Sequence, residues 1–271
     1  MPEDLIAGHL TPWRVWPRGG SRPLLALHCS LAHSGAWGGL AELLTGVTVT
    51  ALDQPSHGRS ADWDGREELH GLTTRISVAM AETLSEGGRV DLIGHSFGAT
   101  VALRMALERP DLVRSLTLIE PVIFAAAKVG VAYDAFRAGH MAFAELVLAG
   151  RRDQAAALFH GVWGTADRFA DLPEKTRRYM LDRIHLIEAQ NPVLLEDAAG
   201  LLRPGGLEAV QVPVLLIDGA DSPPIIAAVH AALAIRLPNV RRLSVPGAGH
   251  MVPITHPDWI AGEVQSHLDR S

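Results

Sequence analysis

One serine sits between a predicted strand and a predicted helix, and this feature constrains the fold more than any other. Residues 94–98 read Gly-His-Ser-Phe-Gly, which fits the pattern Gly-x-Ser-x-Gly. The apolar run 90–93 precedes them, and a helix-forming stretch (99–108) follows, ended by Pro110. In so short a turn the serine lies at the apex, and the glycines leave room for the neighbouring backbones. The pentapeptide alone also fits a glycine-rich loop, but its strand and helix favour Ser96 as a nucleophile.

Strand-like apolar runs alternate with helix-forming segments over the first 120 residues and again near the C-terminus. The strand-like runs are 24–28, 47–52, 90–93, 115–119, 212–217 and 240–245. This alternation predicts an α/β fold with a mostly parallel central sheet flanked by helices. In such sheets, reacting groups collect in the loops at the carboxyl ends of the strands.

The region between Pro121 and Arg203 has a different character. It is rich in alanine and helix-forming residues, has no β-branched run, and predicts helices over 135–148, 153–162 and 174–189. We expect a helical cap over residues 122–202, inserted into a core formed by residues 1–121 and 203–271. The loop at 203–206, Arg-Pro-Gly-Gly, marks the end of the insertion.

Composition limits the partners. The 271 residues carry a net charge of −6 and a pI near 6.1, without a basic cluster, which argues against nucleic acid and anionic membranes. Neither an apolar run of membrane-spanning length nor a signal-like N-terminus is present, and Cys29 is the single cysteine. We expect a cytoplasmic protein with a small-molecule substrate; its oligomeric state does not follow from the sequence.

A serine hydroxyl needs a base within hydrogen-bond reach before it becomes a good nucleophile. The best candidate among the thirteen histidines is His250, in a glycine-rich loop directly after the last predicted strand. That position brings it to the same edge of the sheet as Ser96. The histidines and the cysteine show no metal-ligand spacing, so the sequence implies neither a metal nor another cofactor.

The order Ser96, acid, His250 resembles the α/β-hydrolase fold family over nearly the whole chain. Residues 53–60, Asp-Gln-Pro-Ser-His-Gly-Arg-Ser, are similar to the family's Asp-x-Pro-Gly-x-Gly-x-Ser loop, with Ser56 in place of a glycine. Residues 28–30, His-Cys-Ser, resemble its His-Gly-x loop, with Cys29 at the glycine position. The resemblance implies an oxyanion hole formed by the backbone N–H groups of Phe97 and Ser30. Cys29 and Ser30 also fit the start of a helix.

The acid departs from the family's usual pattern. Most members carry an aspartate three residues after a glycine that follows the sixth central strand; here that glycine is Gly219, and the residue is Ser222. Asp221 lies one residue earlier, where it would also suit a helix cap. Glu120, at the end of the run 115–119, lies where some members carry their acid. We favour Glu120 and keep Asp221 as the alternative.

The resemblance implies a serine hydrolase of the carboxylesterase type, which cleaves a small carboxylic ester or thioester through an acyl-enzyme. Hydrolysis of a carbon–carbon bond or a lactone needs the same three groups and stays an alternative, as does a non-catalytic receptor for a small ligand. A serine at the turn argues against dehalogenases and epoxide hydrolases of this fold, which use aspartate there. We expect the substrate pocket to include five apolar side chains, Trp37, Phe124, Phe143, Trp163 and Met251.

Overall fold

A computed structural model describes residues 1–271 and contains one seven-stranded sheet. Six strands follow the order β1-β2-β4-β5-β6-β7, and β3 pairs with β2. The strands are β1 Glu3–Ile6, β2 His9–Leu27, β3 Val47–Leu52, β4 Val90–His95, β5 Val113–Ile119, β6 Val214–Gly219 and β7 Val240–Val245.

The long strand β2 contacts β3 twice. Its first half pairs antiparallel with β3, with Trp13 opposite Leu52. It then turns at Gly19, which has a φ of +80°, the left-handed region that glycine adopts at little cost. After the turn, the residue numbers of the paired positions increase along both strands, from Arg22 opposite Val47 to Ala26 opposite Ala51.

Strand β1 pairs antiparallel with the start of β2, and the other neighbours, β2–β4, β4–β5, β5–β6 and β6–β7, pair in parallel. Gly94 at the end of β4 lies opposite Leu27 of β2 and Leu118 of β5. The carboxyl ends of these strands therefore meet at one edge of the sheet, where Ser96 and Glu120 follow directly. Every residue of β4 and β6 is buried, as expected for parallel strands covered on both faces.

Helices cover both faces of this sheet. One apolar core contains Ile76, Leu103 and Ile226, from three different helices, and the other contains Leu40 and Val264. The α/β fold predicted from the sequence is confirmed. The helices are α1 Gly38–Leu43, α2 Leu69–Ser85, α3 Phe97–Glu108, α4 Val131–Leu148, α5 Arg152–Trp163, α6 Glu174–Arg183, α7 Leu186–Ala189, α8 Asn191–Leu194, α9 Pro224–Arg236, α10 Val252–Thr255 and α11 Pro257–Asp269.

Helices α4 to α8 follow one another without a strand, and Phe143 of α4, Ala155 of α5 and Ile187 of α7 form a small separate core with Ile184. The single helix expected over 174–189 is wrong, because the chain breaks it into α6 and α7. At the break, the Ile187 N–H donates to the Ile184 carbonyl oxygen at 3.3 Å and closes a tight turn. Both isoleucines are buried. None of the helices in the structure is both long enough and apolar enough to cross a bilayer.

Candidate active site

The turn between β4 and α3 forces Ser96 into a strained backbone conformation. Its φ is +55° and its ψ is −118°, a combination that non-glycine residues rarely adopt. A Cβ on Gly94 would lie 2.4 Å from the Gly98 carbonyl oxygen, and one on Gly98 would lie 2.2 Å from the Leu27 carbonyl oxygen. Both glycines are therefore required sterically, and the turn presents the Ser96 hydroxyl at the carboxyl edge of the sheet.

His250 lies beside this hydroxyl, in the loop between β7 and α10. Its Nε2 is 3.0 Å from Ser96 Oγ, and its Nδ1 is 2.7 Å from Glu120 Oε2. An ionised carboxylate only accepts hydrogen bonds, so the imidazole proton belongs on Nδ1. The unprotonated Nε2 is then free to accept the Ser96 hydroxyl proton.

Glu120 is fully buried at the end of β5, with a φ of +53°. Its second carboxylate oxygen, Oε1, accepts the Gly219 N–H at 2.6 Å and the Ser222 hydroxyl at 2.7 Å. Three donors therefore hold both oxygens in place. These hydrogen bonds fix the buried carboxylate in position beside His250.

Asp221 has a different environment. It is exposed, and its side chain makes no hydrogen bond in the structure; its backbone N–H donates to the Ala248 carbonyl at 2.9 Å. The helix cap considered from the sequence is absent too, because α9 begins without a side-chain cap. The structure thus brings Glu120, and not Asp221, to His250.

His95 also contacts the site. Its Nε2–H donates to the backbone carbonyl of His250 at 2.8 Å, so it holds the loop that carries the imidazole. Burial, reinforced by the nearby His250, lowers the pKa of His95 well below its usual value. His95 is therefore a neutral donor that ties β4 to the His250 loop, a contact that its place beside Ser96 in the sequence did not indicate.

Two backbone N–H groups at this edge lack a protein partner: that of Phe97, the residue after Ser96, and that of Ser30, which lines the same cavity as Ser96. Phe97 N–H belongs to the first turn of α3, where the helix supplies no acceptor, and Ser30 N–H has no hydrogen bond in its loop. Ser30 does not begin a helix. The next residue, Leu31, has a φ of +61° and donates its N–H to His57 Nε2 at 3.1 Å.

The loop at 53–60 supports this arrangement. His57 Nδ1–H donates to the Pro55 carbonyl, which leaves Nε2 as an acceptor for Leu31. Burial, helped by the neighbouring His28, lowers the pKa of His57 to about 3. His28 is held in the same way, because its Nε2 accepts the Gln54 N–H at 3.0 Å and burial lowers its pKa to about 4. Both rings are thus neutral.

Asp53 fixes the other end of the loop. Burial alone would raise the pKa of Asp53, but hydrogen bonds from Ser34 and from the Arg59 N–H outweigh it and lower the pKa. The Ser34 and Arg59 N–H groups lie 2.8 and 2.9 Å from its two oxygens. A Cβ on Gly58 would lie 2.1 Å from Asp53 Oδ2, so a glycine is needed there.

A cavity of about 620 Å³ opens onto Ser96, His250 and Ser30. The Trp163 ring lies 4.9 Å from the His250 ring, between centroids. No lysine, arginine, aspartate or glutamate lines this cavity. Its aromatic lining consists of Phe124, Phe136, Phe143, Phe159 and Trp163. Phe124, Phe143 and Trp163 therefore lie where the sequence placed them.

A second cavity of about 500 Å³ adjoins the first and shares Ser30, Phe159 and Trp163 with it. Met251 lines this second cavity and not the larger one. The expectation for Trp37 is corrected, since it lines neither cavity. The short 3-10 turn Ser34–Trp37 directs its ring into the core beside α1 and α11, where it is 2% exposed.

The structure contains no group of three or more His, Cys, Asp or Glu side chains arranged to hold a metal ion.

Residues 24–263 match the model of the alpha/beta hydrolase family. The chain belongs to the alpha/beta hydrolase family. The resemblance seen in the sequence is confirmed.

Relatives within the family include enzymes named for ester cleavage. The chain is 29% identical over 270 residues to lipase LipV of Mycobacterium tuberculosis, covering 94% of this chain and 96% of the lipase. It is 27% identical over 259 residues to the pimeloyl-[acyl-carrier protein] methyl ester esterase of Nitrosomonas europaea, covering 89% and 93% of the two chains. The crystal structure of an enol-lactonase from Burkholderia xenovorans, 19% identical, superposes with a TM-score of 0.78 over 99% of this chain and 100% of the lactonase. At that identity the superposition shows the fold alone.

Proposed function

We propose that this alpha/beta hydrolase is a serine hydrolase of the carboxylesterase type that cleaves a small, uncharged carboxylic ester or thioester. The observation that carries the proposal is the line of hydrogen bonds from Ser96 through His250 to Glu120, at 3.0 and 2.7 Å, beside an apolar cavity. Helices α4 to α8 form its cap, over residues 122–202, and supply much of the cavity wall.

In the first half of the reaction, Ser96 Oγ attacks the acyl carbonyl carbon while His250 Nε2 takes its proton. Glu120 stays ionised, holds the imidazole in the required tautomer and stabilises the imidazolium. The tetrahedral intermediate then collapses: the bond from the acyl carbon to the leaving oxygen or sulfur breaks, and His250 returns the proton to that atom. The acyl group remains on Ser96 as an ester.

In the second half, His250 removes a proton from water as the water oxygen attacks the acyl carbon. The bond to Ser96 Oγ breaks, the serine regains its proton from His250, and a carboxylic acid leaves. In both halves, negative charge develops on the former carbonyl oxygen. The free N–H groups of Phe97 and Ser30 stabilise that charge, and loss of one such donor costs about 10²–10³ in kcat in comparable sites.

The cavities indicate how the substrate is divided. The acyl group becomes attached to Ser96, so it occupies the larger cavity, which Ser96 lines; the leaving group occupies the second cavity beyond Trp163. The larger cavity offers no charged partner, and burying an unpaired carboxylate there would cost several kcal/mol. The acyl group is therefore uncharged. The names of the lipase and the esterase among the relatives support an ester.

A series of p-nitrophenyl esters of increasing acyl length tests the proposal. We expect turnover by the wild type and its loss, by about three orders of magnitude or more, in Ser96→Ala. The monoester of a short dicarboxylic acid serves as the charged control and should be a poor substrate. Folded wild-type protein that cleaves a lactone or a diketone but none of these esters would contradict ester hydrolysis. Binding of esters without any turnover would indicate a receptor instead.

A further inference from the structure

One wall of the larger cavity is polar, although the rest is apolar and aromatic. Helix α4 turns one stripe of residues toward the cavity at helical spacing, and His140 is the single polar side chain on that stripe. Next to His140, the junction of α7 and α8 adds Gln190 and Asn191 to this wall. The catalytic scheme above uses none of these three side chains.

The hydrogen bonds of this wall fix which atoms remain free. Asn191 Nδ2 lies 2.9 Å from Glu188 Oε2 and 3.0 Å from His140 Nε2. Because the carboxylate only accepts, it orients the amide with its NH₂ group toward both partners. His140 Nε2 must then be an acceptor, so the ring proton lies on Nδ1. Burial, followed by the charge of Arg137, lowers the pKa of His140, which keeps the ring neutral.

Two N–H donors on this wall therefore lack a partner. His140 Nδ1–H makes no hydrogen bond within the protein. Gln190 is 2% exposed; its Oε1 accepts the Ser30 hydroxyl at 2.9 Å, while its Nε2 is buried without any partner. The buried Gln190 NH₂ group costs free energy while it is unpaired, and a ligand that supplies an acceptor to it recovers that cost; His140 is half-buried and lines the cavity.

We propose that His140 and Gln190 form a polar subsite that binds an uncharged hydrogen-bond acceptor on the acyl chain, the carbonyl oxygen of a ketone, ester or amide. This subsite rests on the proposed ester hydrolysis. Both free groups are donors, so the ligand atom is an acceptor. An anionic acceptor is disfavoured, because no cation lines the cavity and the Glu188 carboxylate lies 2.9 Å from Asn191 Nδ2 and 3.7 Å from His140 Nε2.

A positional scan tests the subsite. The probes are p-nitrophenyl octanoate and its 4-, 5-, 6- and 7-oxo derivatives, which have the same chain length and differ by one carbonyl. The quantity compared is the ratio of kcat/KM for each oxo ester to kcat/KM for octanoate. In the wild type we expect this ratio to peak at one position. His140→Phe, which removes the donor and keeps an aromatic ring, should lower the peak ratio about tenfold, the effect of one net hydrogen bond.

Gln190→Leu provides a second, independent variant and should also lower the peak ratio. His140→Asn, which retains an N–H donor, should keep more of the ratio than His140→Phe. Leu158→Met is the matched control, because it changes an apolar cavity residue at nearly constant volume and should leave the peak ratio in place. Labelling of Ser96 by a fluorophosphonate shows that each variant is folded.

The subsite is wrong if the kcat/KM ratio of each oxo ester to octanoate is the same in the wild type, His140→Phe and Gln190→Leu while octanoate is still hydrolysed. That result would leave the proposed function standing. If the wild type hydrolyses neither octanoate nor any oxo ester, the proposed function is wrong, and the subsite falls with it.

Discussion

Ser222 donates a hydrogen bond of 2.7 Å to Glu120, although the two residues lie 102 positions apart in the chain. The resemblance places the usual acid at the position of Ser222, and in the proposed triad the acid comes instead from the end of the neighbouring strand β5. The Ser222 hydroxyl bonds Glu120 Oε1, the carboxylate oxygen that does not contact His250. In the proposed triad the acid therefore stays beside His250, although a different strand supplies it.

Replacing the acid tests this arrangement first. Glu120→Gln removes the charge that stabilises the imidazolium and permits the wrong tautomer of His250, so we expect kcat to fall by about 10³–10⁴. Asp221→Asn is the matched control; Asp221 is exposed and does not contact His250, so its activity should stay near that of the wild type. Initial rates with a short p-nitrophenyl ester measure both. The reverse pattern would assign the acid to Asp221.

Moving the acid back to its usual position is a sharper test of the same geometry. In the double variant Glu120→Ala, Ser222→Asp, the new carboxylate starts from a position whose hydroxyl already reaches the Glu120 oxygen. We expect it to recover at least about tenfold of the kcat lost in Glu120→Ala alone, as a charge near His250 Nδ1 is restored. Rates for the two variants, compared under the same conditions, give the answer. No recovery in a folded double variant would show that position 222 does not reach His250.

The turn at Ser96 should depend on the absence of a side chain at Gly98. A methyl group there would lie 2.2 Å from the Leu27 carbonyl oxygen, so Gly98→Ala forces β2 and α3 apart and should destabilise the protein by about 2–4 kcal/mol. Gly262→Ala is the control, because nothing lies within 4 Å of the added methyl group in α11. That change should stabilise the helix by up to about 1 kcal/mol. Urea denaturation measures both, and equal effects would contradict the steric account.

Stability should also depend on pH through His57. Its pKa is about 3 in the folded protein, below the ordinary value of 6.5, so the unfolded state binds the extra proton between these two values. The contribution of neutral His57 to the free energy of unfolding is fully present above about pH 6.5. As the pH falls from 6.5 toward 3, this contribution is lost by about 1.4 kcal/mol per pH unit for each such proton.

His57→Gln removes one proton from this linkage while keeping an acceptor for the Leu31 N–H. The measured quantity is the free energy of unfolding, from denaturation at about pH 7 down to about pH 4.5. It should therefore fall less steeply with pH in the variant than in the wild type, and the difference in slope should correspond to at most one bound proton. Identical slopes would mean that His57 titrates normally in the folded protein.

The features that the sequence predicted best are those encoded locally. The turn at Ser96 carries its strand, glycines and helix within about twenty residues, and His250 lies in a loop whose glycines are adjacent to it. The parallel sheet also follows from local apolar runs. Strand β1 and the first half of β2 were missed, because most of these strand residues at the edge of the sheet are partly or fully exposed and have no continuous apolar pattern.

Contacts between distant segments could not be read in the same way. The sequence left Glu120 and Asp221 as alternatives, since both follow strand ends at the same edge, and side-chain direction separates them only in three dimensions. The Ser30–Gln190 hydrogen bond spans 160 positions, and no motif marks Gln190 or His140. Trp37 was misplaced for a similar reason, because a single 3-10 turn decides whether its ring faces the cavity or the core.

The central claim is that Ser96 is a nucleophile activated by His250. Intact-protein mass spectrometry after brief exposure to a fluorophosphonate tests it most directly. We predict that wild-type protein gains the mass of one phosphonyl group, that peptide mapping places it on Ser96, and that Ser96→Ala gains none. Folded wild-type protein that stays unlabelled, or a Ser96→Ala variant that is labelled equally fast, would contradict the claim.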